Sequence, residues 1–260
     1  MQFFRRFYAP DYMLKPHQKK EEHYNTGEFY KTFLKMAWPA VAESFLLGLV
    51  SFVDTIMVST VGTNAVAAVG LTNQPRFLFM AVFIALSIGV TAIVSRRKGE
   101  NRREDANKCL AQSLSIVLVL GIVLVTVAIL FAEPLILFSG AKEETLADAV
   151  NYFRIIMIGM LFTSISTTVN AAQRGSGNTR ISMTTNVTAN VVNCIFNAFL
   201  INGLLFFPKL GVTGAAIATL MGNVVACIMS LASVFGKNGF LRLHLGDLFK
   251  FRKEDISIIF

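Results

Sequence analysis

The stretch CLAQSLSIVLVLGIVLVTVAILFA, residues 109–132, runs for 24 residues without a charged side chain. A helix needs about 20 mostly apolar residues to cross the hydrocarbon core of a bilayer, which is roughly 30 Å thick. Lipid offers no partner for backbone polar groups, so a spanning segment must satisfy them within its own helix. Residues 109–132 therefore predict a membrane-spanning helix.

Five further apolar runs of similar length flank this one. The six predicted spans cover residues 36–59, 72–95, 109–132, 150–173, 182–205 and 212–235. Polar connectors such as RRKGENRRED (96–105) and QRGSGNTR (173–180) separate neighbouring runs. The predicted fold class is an all-α integral membrane protein, a six-transmembrane-helix bundle.

The composition supports a membrane class over a soluble one. Hydrophobic residues make up 54% of the chain, and charged residues only 15%, against about 25% in a typical soluble domain. The three cysteines each fall in an apolar run, without the spacing of a zinc site or a disulfide framework. The first 30 residues are polar and charged, which does not fit a cleavable secretory signal.

The distribution of charge predicts the topology. If the N-terminus is cytoplasmic, 20 of the 24 Lys and Arg residues fall on the cytoplasmic side, as the positive-inside rule requires. Arg76 and Arg154 are exceptions and lie near the ends of predicted spans. The net charge of +8 is therefore a topology signal, and no nucleic-acid partner is predicted. We expect a multi-pass protein of the cell (plasma or inner) membrane with both termini cytoplasmic.

Three regions follow from this topology. Residues 1–32 are predicted as a cytoplasmic N-terminal tail, which either lies at the membrane interface or extends freely. Residues 33–236 form the six-helix membrane lobe. Residues 237–260 are predicted as a cytoplasmic connector, whose last apolar residues lead toward a further span that stops at Phe260.

Two acidic residues, Glu43 and Asp54, are the only ones of 16 that lie within a predicted span. An ionisable group inside a membrane is costly and points to function. The two are 11 residues apart, so they share one helical face about 16.5 Å apart along the axis. Asp54 is either a site for a proton or Na⁺ or a structural carboxylate near the interface. Glu43 has the same two interpretations.

The fifth predicted span carries four asparagines, Asn186, Asn190, Asn193 and Asn197, at helical spacing. They form one stripe that faces a wet cavity or a partner helix, where carboxamides also serve as interhelical glue. Pro39 in the first span either bends the helix or begins it. The small residues of GVTGAAIATLMGN (211–223) favour close helix packing.

Four segments in order carry a family resemblance. They are FVDTIMVSTVGTNAVAAVGL (52–71), AQRGSGNTR (172–180), NCIFNAFLING (193–203) and GVTGAAIATLMGN (211–223). Together they resemble the N-terminal lobe of the multidrug and toxic compound extrusion family, the MATE transporters. The similarity covers roughly residues 33–260.

The resemblance implies one lobe of a twelve-helix transporter with two related six-helix lobes. The family exports mostly cationic organic compounds in exchange for H⁺ or Na⁺. The implied partners are the lipid bilayer, small cationic substrates and a second six-helix lobe, from the same gene or by self-association. No enzyme activity is implied, and no cofactor apart from the coupling ion.

The resemblance also assigns residues. Asp54 matches a first-span aspartate that takes part in cation coupling, so it is the expected proton or Na⁺ site, and Pro39 matches a proline at which that helix bends. Asn193 matches an asparagine of the same polar site, and Thr219 matches a sixth-span threonine. Asn197 stands where some members carry a second aspartate, which implies a site with one carboxylate. Glu43 and Asn190 are expected with Pro39 along the substrate pathway.

Two alternatives remain at this stage. A lipid-linked oligosaccharide flippase of the same superfamily would be expected to carry several Arg or Lys in its cavity for pyrophosphate, and Arg76 and Arg154 are the only candidates. A truncated, non-transporting membrane protein is the other alternative. A second six-helix lobe beyond Phe260 would distinguish it from a transporter.

Overall fold

The computed structural model describes residues 26–203, 208–236, 239–243 and 246. Helices fill most of these ranges: α1 Thr26–Ser59, α2 Thr63–Gly99, α3 Arg103–Leu130, α4 Ala132–Phe138, α5 Glu143–Gly175, α6 Thr179–Asn202 and α7 Gly211–Phe235. The described ranges contain no strand, and the predicted all-α class is confirmed. Most of the predicted tail 1–32 and of the predicted connector 237–260 lies outside the described residues.

Five described helices are long and apolar enough to cross a membrane, namely α1 from Val41 onward, α2, α3, α5 and α7. Helix α6 has 24 residues, about 36 Å at 1.5 Å per residue, so it has the length of a span as well. Its asparagines and threonines make it too polar to qualify by composition. The six long helices fit the predicted six-helix lobe.

The helices extend beyond the predicted spans. Helix α2 begins at Thr63 and α5 at Glu143, whereas the predicted spans begin at residues 72 and 150. Hydropathy marks only the part of a helix that matches the bilayer core, while the adjoining residues keep the helical conformation. In α5 the first turn carries Glu143 and Glu144, which interact favourably with the positive end of the helix dipole.

Helix α1 begins at Thr26, which places Pro39 well inside it. The interpretation of Pro39 as the first residue of the helix is therefore wrong. The side chain of Pro39 lies outside the described residues, so the predicted bend stays a prediction.

The core of the bundle forms around α5, which packs against α2, α3 and α7. In one half of the bundle, Phe83, Val117 and Phe153 are buried together. In the other half, Leu110 of α3 and Val234 of α7 belong to a second apolar cluster. These contacts fix the walls against which the polar residues of α6 are placed.

Helix α1 lies at the edge of the bundle and packs mainly along α6. Its large apolar side chains point outward: Trp38, Phe45 and Phe52 are 71%, 67% and 66% exposed. A contiguous apolar surface of this kind is unusual on a soluble monomer. It suits contact with lipid or with another membrane helix.

Helices α6 and α7 approach closely where α7 has glycines. A Cβ atom at Gly214 would lie 2.5 Å from the Leu200 carbonyl oxygen, and one at Gly222 would lie 2.7 Å from that of Ala189. Only glycine fits at both places, as the small residues of this segment predicted. Thr219 lies between these two contacts, so its short side chain reaches α6.

The segment 239–243 folds back onto the beginning of α3. Arg103 Nε donates to the Phe240 carbonyl oxygen at 2.7 Å, and the Arg242 amide donates to Asn107 Oδ1 at 2.8 Å. Leu241 is fully buried in the cluster that contains Leu110. The chain after α7 is thus attached to the lobe.

We expect Gly214→Ala to destabilise the protein by about 1–3 kcal/mol, because the new methyl group would separate α6 from α7. The melting temperature of the detergent-purified protein should fall. Gly48→Ala in α1 is the matched control, since no atom lies within 4 Å of its Cβ position, and alanine favours a helix. Equal melting temperatures for the two variants would contradict the close approach.

Candidate functional site

Helices α1 and α6 run parallel and in register, which places their polar residues opposite one another. Asn197 Nδ2 donates to Asp54 Oδ1 at 2.7 Å, and Asn186 Nδ2 donates to Glu43 Oε1. Both pairs are separated by 143 residues in the sequence. The two acids that share a face of α1 therefore each meet an asparagine of the α6 stripe.

Thr219 of α7 joins the same group through Asn193. Asn193 Nδ2 lies 3.0 Å from Thr219 Oγ1, and Asn197 Nδ2 lies 3.2 Å from Asn193 Oδ1. When the Asn193 amide is rotated so that its nitrogen faces Asp54, it donates to both carboxylate oxygens at 3.1 Å, and its oxygen accepts from Thr219 Oγ1 at 3.0 Å. The rotated amide satisfies both of its ends, and we adopt it because amide orientation is assigned from hydrogen bonds.

One oxygen of this group is left without a partner. Asn197 is 2% exposed, and its Oδ1 atom accepts no hydrogen bond from the described residues. A buried carbonyl oxygen without a partner is costly. The position beside Asp54 thus offers an acceptor to a proton donor or to a cation that prefers oxygen ligands.

The group lines a cavity of about 410 Å³. The lining residues belong to α1, α2, α5, α6 and α7, so the cavity lies between these five helices. Of the residues singled out in the sequence, the cavity brings together Asp54, Asn186, Asn190, Asn193, Asn197 and Thr219. Glu43 is not among its lining residues.

The cavity also contains residues that the sequence did not identify as functional. They include Asn73, Tyr152 and Asn223, and the cavity also contains Arg76, which the sequence offered only as a candidate for pyrophosphate in a flippase. Tyr152 is 7% exposed. The spacing of Val66, Val69, Asn73 and Arg76 along one face of α2 was the available signal.

The position of Arg76 near a span end stays a prediction, because α2 extends beyond the predicted span 72–95 on its N-terminal side. Helix α2 begins at Thr63, so Arg76 lies 13 residues inside it, about 20 Å from its first residue, and lines the cavity. Arg154 is exposed and is not among the lining residues.

Within the described ranges, no three His, Cys, Asp or Glu side chains form a group that fits a metal ion. A cation at Asp54 would thus depend on one carboxylate together with amide and hydroxyl oxygens. Such a ligand set suits a hard monovalent ion or a proton better than a transition metal, which prefers imidazole or thiolate ligands.

Curated proteins resemble this chain over most of its length. A protein named "Probable multidrug resistance protein NorM" from Thermotoga maritima is 28% identical over 228 residues, which is 88% of this chain and 48% of that protein. A "FAD transporter" from Shewanella oneidensis is 28% identical over 200 residues, 77% of this chain and 44% of that protein. The chain spans about half the length of these relatives.

Solved structures give the same correspondence. A transporter of the MOP superfamily from Pyrococcus furiosus superposes with a TM-score of 0.81 and 27% sequence identity, over 88% of this chain and 50% of that chain. In that transporter, a reverse polarity of the binding pocket suggests a different function. The MatE family profile matches residues 39–199; this covers more than half of the chain, and the chain belongs to the MatE family, with the fold of its N-terminal lobe.

Proposed function

We propose that this chain is the N-terminal half of a cation-coupled efflux antiporter, with Asp54 as the binding site for the coupling ion. The observation that carries the proposal is the Asp54 carboxylate on the wall of a polar cavity, in contact with the α6 carboxamides at 2.7 Å. A carboxylate inside a membrane bundle costs free energy, and such residues mark ion or substrate pathways. Transport, not catalysis, is the activity that this arrangement suits.

The coupling ion is H⁺ or Na⁺. A proton would neutralise Asp54 directly, while Na⁺ would take its oxygen together with amide and hydroxyl oxygens, the unpartnered Asn197 Oδ1 among them. Either ion changes how Asp54 bonds to α6. A ligand shifts a conformational equilibrium only if it binds the two states differently, and the contact between α1 and α6 is where that difference would arise.

The substrates proposed here are small organic compounds, cationic ones included, as the family resemblance implies. A second six-helix lobe, from the same gene or from another copy of this chain, would close the cavity and cover the apolar face of α1. In this proposal both termini are cytoplasmic. Members of such families differ in substrate, since one relative is named as a multidrug resistance protein and another as a FAD transporter.

A lipid-linked oligosaccharide flippase and a truncated, non-transporting protein are the alternatives. The flippase would require several cationic side chains in the cavity, and Arg76 is the one basic residue among the described lining residues. The truncated protein would require that no second lobe completes the cavity. The sequence downstream of the Phe260 codon tests this second alternative directly.

We predict that Asp54→Asn abolishes ion-coupled export. Asparagine has nearly the shape of aspartate but neither takes up a proton nor balances the charge of Na⁺. The measurement is dye efflux from cells that express the longest reading frame containing this chain, driven by a H⁺ or a Na⁺ gradient. The rate should fall at least about tenfold, as for loss of an interaction worth about 1.4 kcal/mol or more.

The matched control is Glu43→Gln, which removes the other carboxylate of α1. Because Glu43 contacts Asn186 and lies outside the cavity lining, we expect insertion and most of the export to remain. Normal efflux by Asp54→Asn, or equal losses in the two variants, would refute the assignment of Asp54.

We also predict that Thr219→Val weakens ion binding. The hydroxyl group fixes the amide of Asn193 at 3.0 Å, and loss of such a supporting group lowers cation affinity by about 10–100-fold in characterised sites. The ion concentration for half-maximal export should rise accordingly. Thr219→Ser keeps the hydroxyl group and should behave like the wild type; an unchanged ion requirement in Thr219→Val would argue against a role for this contact.

A further inference from the structure

Arg76 is the one basic residue among the described residues that line the cavity beside Asp54. It is 13 residues from the beginning of a 37-residue helix, on the face of α2 that lines the cavity. A charged group within a membrane bundle faces the bundle interior and is paired with a partner or used to bind one. The groups around Arg76 therefore indicate what it binds.

Within the described part of the chain, Arg76 takes part in no hydrogen bond and no ion pair. The Asp54 carboxylate lines the same cavity but does not come within 4 Å of the guanidinium group. Tyr152 lines the same cavity. The five guanidinium donors are thus available to a molecule in the cavity.

The two full charges of the described lining differ in their surroundings. Asp54 is held by the carboxamides of Asn193 and Asn197, and a coupling ion would neutralise it. Arg76 then remains as the uncompensated charge of the cavity wall. Low-dielectric walls focus the field of such a charge and raise the local concentration of ions of the opposite sign.

A shallow apolar surface of α2, on which Phe77 and Leu78 are each 67% exposed, adjoins Arg76. Its lining residues are Asn73, Gln74, Arg76, Phe77, Leu78 and Met80. A guanidinium group beside aromatic and aliphatic side chains suits an amphiphilic organic anion, because the fork of N–H groups matches a carboxylate or phosphate and the apolar side chains accept its body.

We infer that Arg76 is a recognition point for an anionic group, so that the substrates include organic molecules that carry a carboxylate or a phosphate, zwitterions among them. This inference rests on the proposed transport function for its biological meaning. The claim that Arg76 binds an anion does not depend on transport. It depends on two observations: Arg76 lines the cavity, and it has no hydrogen bond or ion pair with the described residues.

The test compares two probes that differ in one group, a cationic xanthene dye with a free carboxylate and the methyl ester of the same dye. The longest reading frame that contains this chain is purified into phosphatidylcholine nanodiscs, and the affinity for each dye is measured by fluorescence anisotropy. We expect the free acid to bind more tightly than the ester, and Arg76→Gln to weaken the acid alone by about tenfold.

Arg154→Gln is the matched control, because it removes an exposed arginine of α5 that does not line the cavity. It should leave both affinities unchanged. Arg76→Lys keeps the charge but loses the bidentate geometry, and it should restore part of the preference for the acid. If Arg76→Gln does not fold, the test uses Arg76→Lys instead. This variant should prefer the acid over the ester less strongly than the wild type does.

Equal affinities of the wild type for acid and ester, equal weakening of both dyes by Arg76→Gln, or binding of neither dye would each overturn the inference. Loss of the acid preference when phosphatidylglycerol is added to the nanodiscs would assign Arg76 to a lipid headgroup and overturn it as well. The test can fail separately from the transport proposal. If the wild type prefers the acid through Arg76 but exports nothing, the transport proposal is refuted and the anion site is retained.

Discussion

The hydrogen-bonded contact between Asp54 and the carboxamides of Asn193 and Asn197 decides how the polar parts of this lobe are arranged. A carboxylate and a stripe of amides cannot face lipid at low cost, so the surfaces of α1 and α6 that carry them must meet or face a cavity. Because the two helices are parallel and in register, their polar surfaces meet each other and also border the cavity. Asn186 and Asn197 of the stripe contact the acids of α1, and all four asparagines line the cavity with residues of α2, α5 and α7.

Helix α7 completes the arrangement through its glycines. Its backbone approaches α6 at Gly214 and Gly222, which brings the short Thr219 side chain within hydrogen-bonding distance of Asn193. A bulkier residue at either glycine would move the hydroxyl group away. Packing and polar chemistry are therefore linked in this lobe, because the site depends on a backbone distance that only glycine allows.

Much of this structure follows from one-dimensional patterns. The apolar runs predicted six long helices, and the 11-residue spacings of Glu43 with Asp54 and of Asn186 with Asn197 predicted two polar faces. The pairing of those faces was not predictable, because it depends on which helices become neighbours. The place of Arg76 on the cavity wall was not predictable for the same reason, because the other lining residues belong to α1, α5, α6 and α7 as well as α2.

The polarity of α6 has a consequence for how the protein is made. The insertion machinery of the membrane partitions each segment by its own transfer free energy, and this helix, with an amide in nearly every turn, is a poor candidate by itself. Three residues separate it from α5, but it packs mainly against α7 and α1. Because α7 is apolar enough to span a membrane by itself, we expect stable insertion of α6 to depend on these later and earlier neighbours and not on its own hydropathy.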